Sequence, residues 1–345
     1  MRSGRLLLRK RWWSADAVRA FAFAESLVVA FGRTRRQAGV MTAPLAILFE
    51  HPLWFLPLFE ALDRRRIEYL AIPLSDHCFD LAAPPPAPLI FNRVAQSGFL
   101  REPDHPIFYT AALLDHWQRM GARILNGPEV LAIDSSKARQ LSLIASLGHA
   151  VPATRVVHRA RDLVGAAQGM AFPLLVKANI GGSGAGIVRY SSLEELERSV
   201  AEGSVPDSID KVLLLQDYVP PRGGVITRIE TLGRRYLYAI EVESGGDNFD
   251  LCPADACVAQ PGRKAIAMEA VTPTNELNAA SEAIAMAVGL DIGGFELVID
   301  DRDGVPRFYD INALSNFVAN PLDVLGWNPH ERLVDWIEAR IAEVA

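Results

Sequence analysis

Three cysteines in 345 residues are too few, and an odd number, for a disulfide scaffold. That fits a chain folding in a reducing cytoplasm. No apolar run approaches the ~20 residues of a membrane-spanning helix. Positive charge is not in excess either: 35 Lys+Arg against 41 Asp+Glu give a net −6, which speaks against a nucleic-acid partner. Two nucleotide-binding signatures are also missing. The glycine-rich stretch 179–186 is not followed by Gly-Lys-Ser/Thr, so it is no Walker loop, and Ile187 breaks G-x-G-x-x-G. Cys252 and Cys257 form a Cys-x4-Cys pair without a second pair. That is weak for zinc and reads as two ordinary thiols near a site rim.

The charge that is present is unevenly spread. Residues 1–40 hold nine Lys/Arg and two acids, Asp16 and Glu25, for a net of +7, which leaves −13 on the other 305 residues. Asp16, Arg19 and Glu25 interrupt the apolar part of this leader, so it makes a poor secretory signal. Met41 then restarts the chain just before a clean strand. The expectation is a dispensable or disordered extension over 1–40, the sharper alternative being a membrane-surface or targeting helix.

From Met41 the pattern alternates strand and helix. Residues 45–49 read as a buried strand, 53–65 as a helix ending in Arg64-Arg65-Arg66, where cations suit the C-terminal dipole. Strands follow at 67–72 and 89–93, then a helix over 109–120 and a short strand at 123–125. This is a small α/β unit with a parallel sheet. Strand ends in such a sheet form a substrate face. Arg93, at one such end, is either a carboxylate or phosphate contact or an exposed surface arginine.

Residues 135–147 predict an amphipathic helix capped by Asp134 or Ser135. Lys137 lies in its first turn, where a cation opposes the helix dipole. Such a lysine either serves an anion or is solvated. The short strand 174–178 carries one buried-looking charge, Lys177, and the glycine loop follows before the chain returns at 187–190. Between antiparallel strands this loop is a lid rather than a helix entry. Its backbone N–H groups can wrap phosphates, because glycine lets the chain approach closely, and Lys177 reaches the same phosphates. The bland alternative is a mobile hairpin tip. Ser192-x-x-Glu195 then opens a helix as a capping box. The apolar strand 212–216 breaks at Asp217-Tyr218-Val219 before two prolines, a natural hinge whose exposed backbone can pair with a purine edge. Residues 226–232 and 235–243 predict a hairpin around Gly233-Arg234, with Arg228 on it as a fixed, always-charged fork.

The stretch 293–312 reads GGFELVIDDRDGVPRFYDIN. It predicts two strands around the turn Asp301-Arg302-Asp303-Gly304, where Gly304 can take a positive φ. A hairpin centred on Asp303 sets Glu296 opposite Asp310, and Asp310 shares a face with Asn312. Opposed carboxylates repel in a bare sheet. A divalent cation reverses that sign, and two carboxylates with an amide oxygen suit Mg²⁺ held together with substrate phosphates. The alternative is a solvated face with two unrelated acids. A helix from Thr272-Pro273 to Val288 precedes the hairpin, and Asn328-Pro329-x-Glu331 caps a last helix that turns Leu333, Trp336, Ile337 and Ile341 to the core.

A lysine helix, a Val-Lys strand, a glycine lid, a Gln-Asp-Tyr-Val hinge, an arginine hairpin and a Glu…Asp-x-Asn hairpin thus follow in order. In this the chain, over about residues 44–340, resembles the ATP-grasp superfamily, in its glutathione-synthetase and ribosomal-protein glutamate ligase type. The resemblance implies an α/β (α+β) fold: an N-terminal parallel-sheet substrate domain over 41–133, then two ATP-grasp subdomains over 134–218 and 219–345. It implies a cytoplasmic, ADP-forming carboxylate–amine ligase working through an acyl phosphate. Its cofactors would be ATP and two Mg²⁺ ions, with Mn²⁺ as a substitute. Its partners would be small-molecule or peptide carboxylates and amines, without nucleic acid or membrane, and a homo-oligomer is compatible with it.

Position by position, Lys137 and Lys177 look like the phosphate-binding lysines, Lys177 and Arg228 like the catalytic cations. Gly181, Gly182, Ser183, Gly184 and Gly186 look like the phosphate lid. Gln216, Asp217, Tyr218 and Val219 resemble the adenine hinge, and Glu296, Asp310 and Asn312 the Mg²⁺ ligands. The chain departs from the pattern in three places. The usual Asp, then Glu-x-Asn, is exchanged to Glu296, then Asp310. The usual Pro-Gly after the asparagine is replaced by Ala313-Leu314-Ser315-Asn316. Residues 248–263 lack the usual Arg-x-Asn element. The ATP side is therefore better marked than the acceptor side. Two other readings remain at this level: a phosphotransferase acting on a hydroxyl, and a non-catalytic nucleotide-binding relative.

Overall fold

The computed structural model describes residues 43–101, 104–182, 184–244 and 267–344. The leader 1–40, Ser183, Cys252 and Cys257 lie outside the described residues.

The chain opens with β1 (Leu45–Phe49), α1 (Leu56–Arg64), β2 (Tyr69–Pro73), β3 (Leu89–Arg93), α2 (Ile107–Arg119) and β4 (Arg123–Leu125). All five residues of β1 are apolar and buried, as a central parallel strand covered on both faces requires. The sheet runs β2-β1-β3-β4, parallel throughout. The arginines ending α1 do more than meet its dipole. Arg64 reaches Glu331 (2.5 Å) and Arg65 reaches Asp335 (2.7 Å) and Glu338, all on the last helix of the chain.

Two short helices follow, α3 (Pro128–Asp134) and α4 (Lys137–Ser146). The sequence predicts one helix from 135 capped by Asp134 or Ser135. In the structure Ser136 is the cap, accepting from the Arg139 N–H, and Asp134 ends α3. The reason is tertiary: the Asp134 carboxylate is taken by the backbone N–H of Ala313 (2.9 Å).

A second sheet, order β5-β8-β6-β7 and antiparallel, comprises β5 (Thr154–Val157), β6 (Leu174–Ala178), β7 (Ile187–Tyr190) and β8 (Leu213–Asp217). α5 (Leu163–Ala167) and α6 (Leu193–Glu202) pack on it around a core of their own that includes Leu163, Val176, Leu196 and Leu215. The capping box opens α6: Ser192 accepts from the Glu195 N–H, while Glu195 reaches back to the Ser191 N–H.

The third sheet is antiparallel, order β11-β10-β9-β12-β13. Its strands are β9 (Val225–Leu232), β10 (Arg235–Glu243), β11 (Met268–Val271), β12 (Ile292–Ile299) and β13 (Pro306–Asn312). α7 (Asn275–Val288) precedes β12, capped by Thr274 and stopped by the left-handed Gly289; α8 (Pro321–Val324) and α9 (Pro329–Val344) close the chain. Two cores serve this sheet. On one face Ile226, Tyr238, Ile240 and Ile292 join Ile47, Phe49 and Phe91 of the first sheet in a single cluster with Leu333 and Ile337 of α9. On the other, Ile229, Phe295 and Ile311 pack with Ile284 of α7 and Ile144 of α4. The helix that carries Lys137 is thus seated on the third sheet.

Candidate active site

The register of the third sheet lays out the acidic part of the site. Arg228 on β9 is level with Glu296 on β12, and Glu296 with Asp310 on β13. One row along, Glu230 is level with Gly294, and Gly294 with Asn312. Glu296 therefore faces Asp310 as the hairpin pattern predicts. A bulge follows, so nearer the turn Leu297 pairs with Phe308 and Tyr309 is the extra residue. A single unbroken register read from the turn misses this. The Tyr309 ring lies beneath the Lys177 ammonium, 5.4 Å from Nζ to centroid.

Lys137 is neither solvated nor idle. Its Nζ is 2.6 Å from Asp310 Oδ1, and its helix is tied to the end of β6, where Asn179 accepts from the backbone N–H groups of Lys137 (3.1 Å) and Ala138 (2.9 Å). Lys177 on β6 is buried, and burial, with Lys137 nearby, pushes its ammonium down to about 8. The glycine loop leaves β6 directly after it. Gly186 has φ +72°, and a Cβ there would stand 2.8 Å from the Ala178 Cβ, so the turn needs glycine. Gly182 rests on the segment after β3: a Cβ on it would lie 3.0 Å from the Ser97 Cβ.

The hinge is less open than its sequence suggests. Gln216 is buried and donates to Thr154 Oγ1 (2.9 Å). The backbone N–H of Asp217 is bonded to Ala153 O (2.8 Å) and that of Tyr218 to Pro173 O (3.2 Å). The Asp217 carboxylate is held by Arg302 at 2.7 Å. The expectation of an exposed hinge backbone does not hold for the N–H groups of Asp217 and Tyr218, because β8 runs between β5 and β6 up to Asp217.

Arg228 is fixed from two sides. Its Nε donates to Glu230 Oε1 (2.6 Å) and one terminal nitrogen to Glu296 Oε1 (3.1 Å). Burial alone would lower its pKa, but Glu230 and Glu296 outweigh that and raise it. Glu296 itself is raised by burial, against which Arg228 works, while Asp310 pushes it further up. Asn312 Nδ2 also donates to Glu296 Oε1 (3.3 Å).

Arg93 is neither a surface arginine nor a lining group of the cavity. It is 2 % exposed, donates to the carbonyls of Ala313 and Ser315 and to Asn316 Oδ1, and stacks near Phe55 and Phe91. The Ala-Leu-Ser-Asn segment that replaces Pro-Gly is thereby anchored to the first sheet.

Three groups were missed in the sequence. Asp134 lines the cavity, and burial pushes its carboxyl up to about 7. Gln96 lines it beside Asp134, with neither amide atom in hydrogen-bond geometry among the described residues. Glu230 was passed over although it lies two residues from Arg228 on one strand, which places both on one face.

These parts enclose one cavity of about 210 Å³. At one end Pro152, Leu175, Ile187, Gln216, Tyr218 and Val219 make a largely apolar slot. Lys137, Lys177, Arg228, Glu296, Asp310, Asn312 and the glycine loop fill the middle. Trp54, Gln96, Ser97 and Asn316 form the far wall. Among the described residues no three His, Cys, Asp or Glu side chains gather as a metal cluster. The middle offers two carboxylates and an amide instead, and its facing, half-buried acids fit a hard divalent cation as donors.

No family model matches the chain. A probable alpha-L-glutamate ligase of Citrobacter koseri is 28% identical over 244 residues, which is 67% of this chain and 72% of that protein. A ribosomal protein bS6–L-glutamate ligase of Shigella boydii is 27% identical over 244 residues, with the same two coverages of 67% and 72%. Among solved structures, the ATP-grasp ligase PsnB complexed with a minimal precursor superposes with a TM-score of 0.62 at 15% identity, over 86% of this chain and 99% of that one. D-cycloserine synthetase gives 0.61 at 19% identity over 86% and 99%. D-alanine–D-alanine ligase of Bacillus anthracis complexed with ATP gives 0.61 at 15% identity over 88% and 98%. The chain has the fold of these ATP-grasp ligases.

Proposed function

We propose that this chain, folded as an ATP-grasp protein and resembling glutamate ligases, is an ATP-dependent carboxylate–amine ligase that forms an amide through an acyl phosphate and releases ADP and phosphate. The observation that carries the reading is the convergence of Lys137, Lys177, Arg228 and the opposed Glu296 and Asp310 in one cavity, between an apolar slot and a mostly uncharged wall.

A carboxylate is a poor electrophile, and phosphorylating it supplies a leaving group. The chain's work is positioning and charge balance. The slot at Gln216, Tyr218 and Val219 takes the adenine. Lys137, Lys177 and Arg228 lie along the cavity where a polyphosphate follows it and offset charge spread over the transferring oxygens. Glu296, Asp310 and Asn312 would hold Mg²⁺, two ions on this reading with Mn²⁺ as a substitute, and the metal would supply charge neutralisation at the phosphate oxygens. The glycine loop, residues 181–186, excludes water that would hydrolyse the activated acid. The acid and the amine, small molecules or peptides, meet at the far wall, where Asp134 lies close to the metal-binding carboxylates.

The test is release of ADP and free phosphate in a screen of amino acids and short peptides with Mg²⁺-ATP, followed by mass spectrometry. The expected product carries a new C–N bond, with one phosphate freed per bond. A phosphorylated product without free phosphate would mean a phosphotransferase instead.

A further inference from the structure

Glu230 is a carboxylate that the proposed reaction does not use. It is 1 % exposed, and its Oε2 has no hydrogen-bond partner among the described residues. Leaving a buried charged oxygen unmatched is costly, so its retention calls for a reason. The fold also makes room for it. Gly294, level with it on β12, would put a Cβ 2.6 Å from Glu230 Oε1, so any larger residue there would evict the carboxylate.

What Glu230 touches supplies the reason. Its Oε1 accepts from Arg228 Nε at 2.6 Å, on the side of the guanidinium away from Glu296. Arg228 lines the cavity and Glu230 does not. We infer that Glu230 is a positioning residue. It holds Arg228 by Nε so that the terminal nitrogens stay directed along the sheet face toward Glu296 and the phosphoryl position. Without that tether Glu296 is the remaining carboxylate on Arg228, and the guanidinium follows it. With the tether Arg228 keeps its orientation even when Glu296 turns to another partner. A planar fork gripped through Nε can present only its other edge. The inference rests on the reading of Arg228 as the arginine that steadies the transferring phosphoryl group.

The experiment compares Glu230→Gln, Glu230→Leu, Arg228→Ala and the double variant Glu230→Gln/Arg228→Ala with the parent. Each is titrated with Mg²⁺-ADP alone and with aluminium fluoride, which with ADP mimics a phosphoryl group in transfer. Glu230→Leu is expected to bind ADP within about threefold of the parent and to lose about tenfold or more of the gain from fluoride, as for a displaced transition-state donor. Glu230→Gln keeps an acceptor for Nε and should retain part of the gain, which a role in fold alone would not produce. It also covers the case in which the leucine variant does not fold. In the Arg228→Ala background Glu230→Gln should change the gain no further, because the two residues act as one unit. If both Glu230 variants keep the full gain, or if Glu230→Gln lowers it equally with and without Arg228, the inference is overturned while the reading of Arg228 stands. If Arg228→Ala itself keeps the gain, that reading falls and the inference with it.

Discussion

Burial lowers the Lys177 ammonium to about 8, so at neutral pH the native protein holds a charge inside an otherwise apolar strand. In the unfolded chain the group titrates at its model value of 10.5. Between the two values the unfolded state binds more protons, so the cost of this charge is felt in full below about 8 and is relieved as pH rises toward 10.5. A side chain that penalises the fold and faces the cavity is placed for a ligand. Lys177→Ala is therefore expected to melt at or above the parent's temperature at pH 7. Its Mg²⁺-ATP affinity should fall by about 10- to 100-fold, the worth of a charge-assisted hydrogen bond. Lys177→Arg should recover little of it, because a planar fork does not replace a compact ammonium. Calorimetric titration and thermal melts on the same preparations check both halves. An alanine variant with parent-like affinity would take Lys177 out of the nucleotide site.

At the scale of elements, the β12–β13 hairpin brings two acids together and braces each with a cation: Glu296 by Arg228, Asp310 by Lys137. Neutralising one acid relieves repulsion but also loosens its cation, so in chelator Glu296→Gln and Asp310→Asn should shift stability by no more than about 1 kcal/mol. With Mg²⁺-ATP the parent gains stability by mass action and the variants should lose most of that gain. Melting curves with chelator and with Mg²⁺-ATP decide it, since surface acids would leave the ligand-dependent gain intact. The hairpin's facing acids were legible because strand periodicity and a turn residue fix a register locally. The Tyr309 bulge was not legible, since one extra residue leaves the same composition. The Lys137–Asp310 pair and the Arg93 bridge to Ala313 and Ser315 join residues far apart in the chain, and such meetings are set by how sheets pack. The glycine loop and the α6 cap were readable for the opposite reason: their bonds close within a few residues.

For the whole molecule, acid should act partly through the buried His330 and the half-buried His51. Burial first, then neighbouring arginines, lower His330 and His51 to about 4 from 6.5. Their stabilising share is present above 6.5 and is lost as pH falls from 6.5 toward 4. For His330 it is worth up to about 3 kcal/mol. Asp134 and Glu50, raised by burial, pull the other way over an overlapping range, so the parent's own curve is a balance. His330→Gln isolates one share. The variant should melt below the parent at pH 7, and the gap should narrow or reverse by pH 4.5. A gap that stays constant would show that His330 does not resist protonation.

The cores described above divide the molecule unequally. The first and third sheets share one apolar cluster and are joined again by Arg93, whereas the second sheet has a core made of its own residues. The first and third sheets are thus a bedplate, and the second is a plate joined to it at a seam, where Asn179 takes the N–H groups of Lys137 and Ala138 and Arg302 holds Asp217. Lys177 and the glycine loop belong to the plate, while Lys137, Arg228 and the acids belong to the bed. Two ammonium groups, Lys137 and Lys177, therefore meet across the seam, and after burial their repulsion is the next cause of the lowered Lys177. An anion laid between them turns that repulsion into attraction. On the function proposed above, the polyphosphate is then also a clasp between plate and bed.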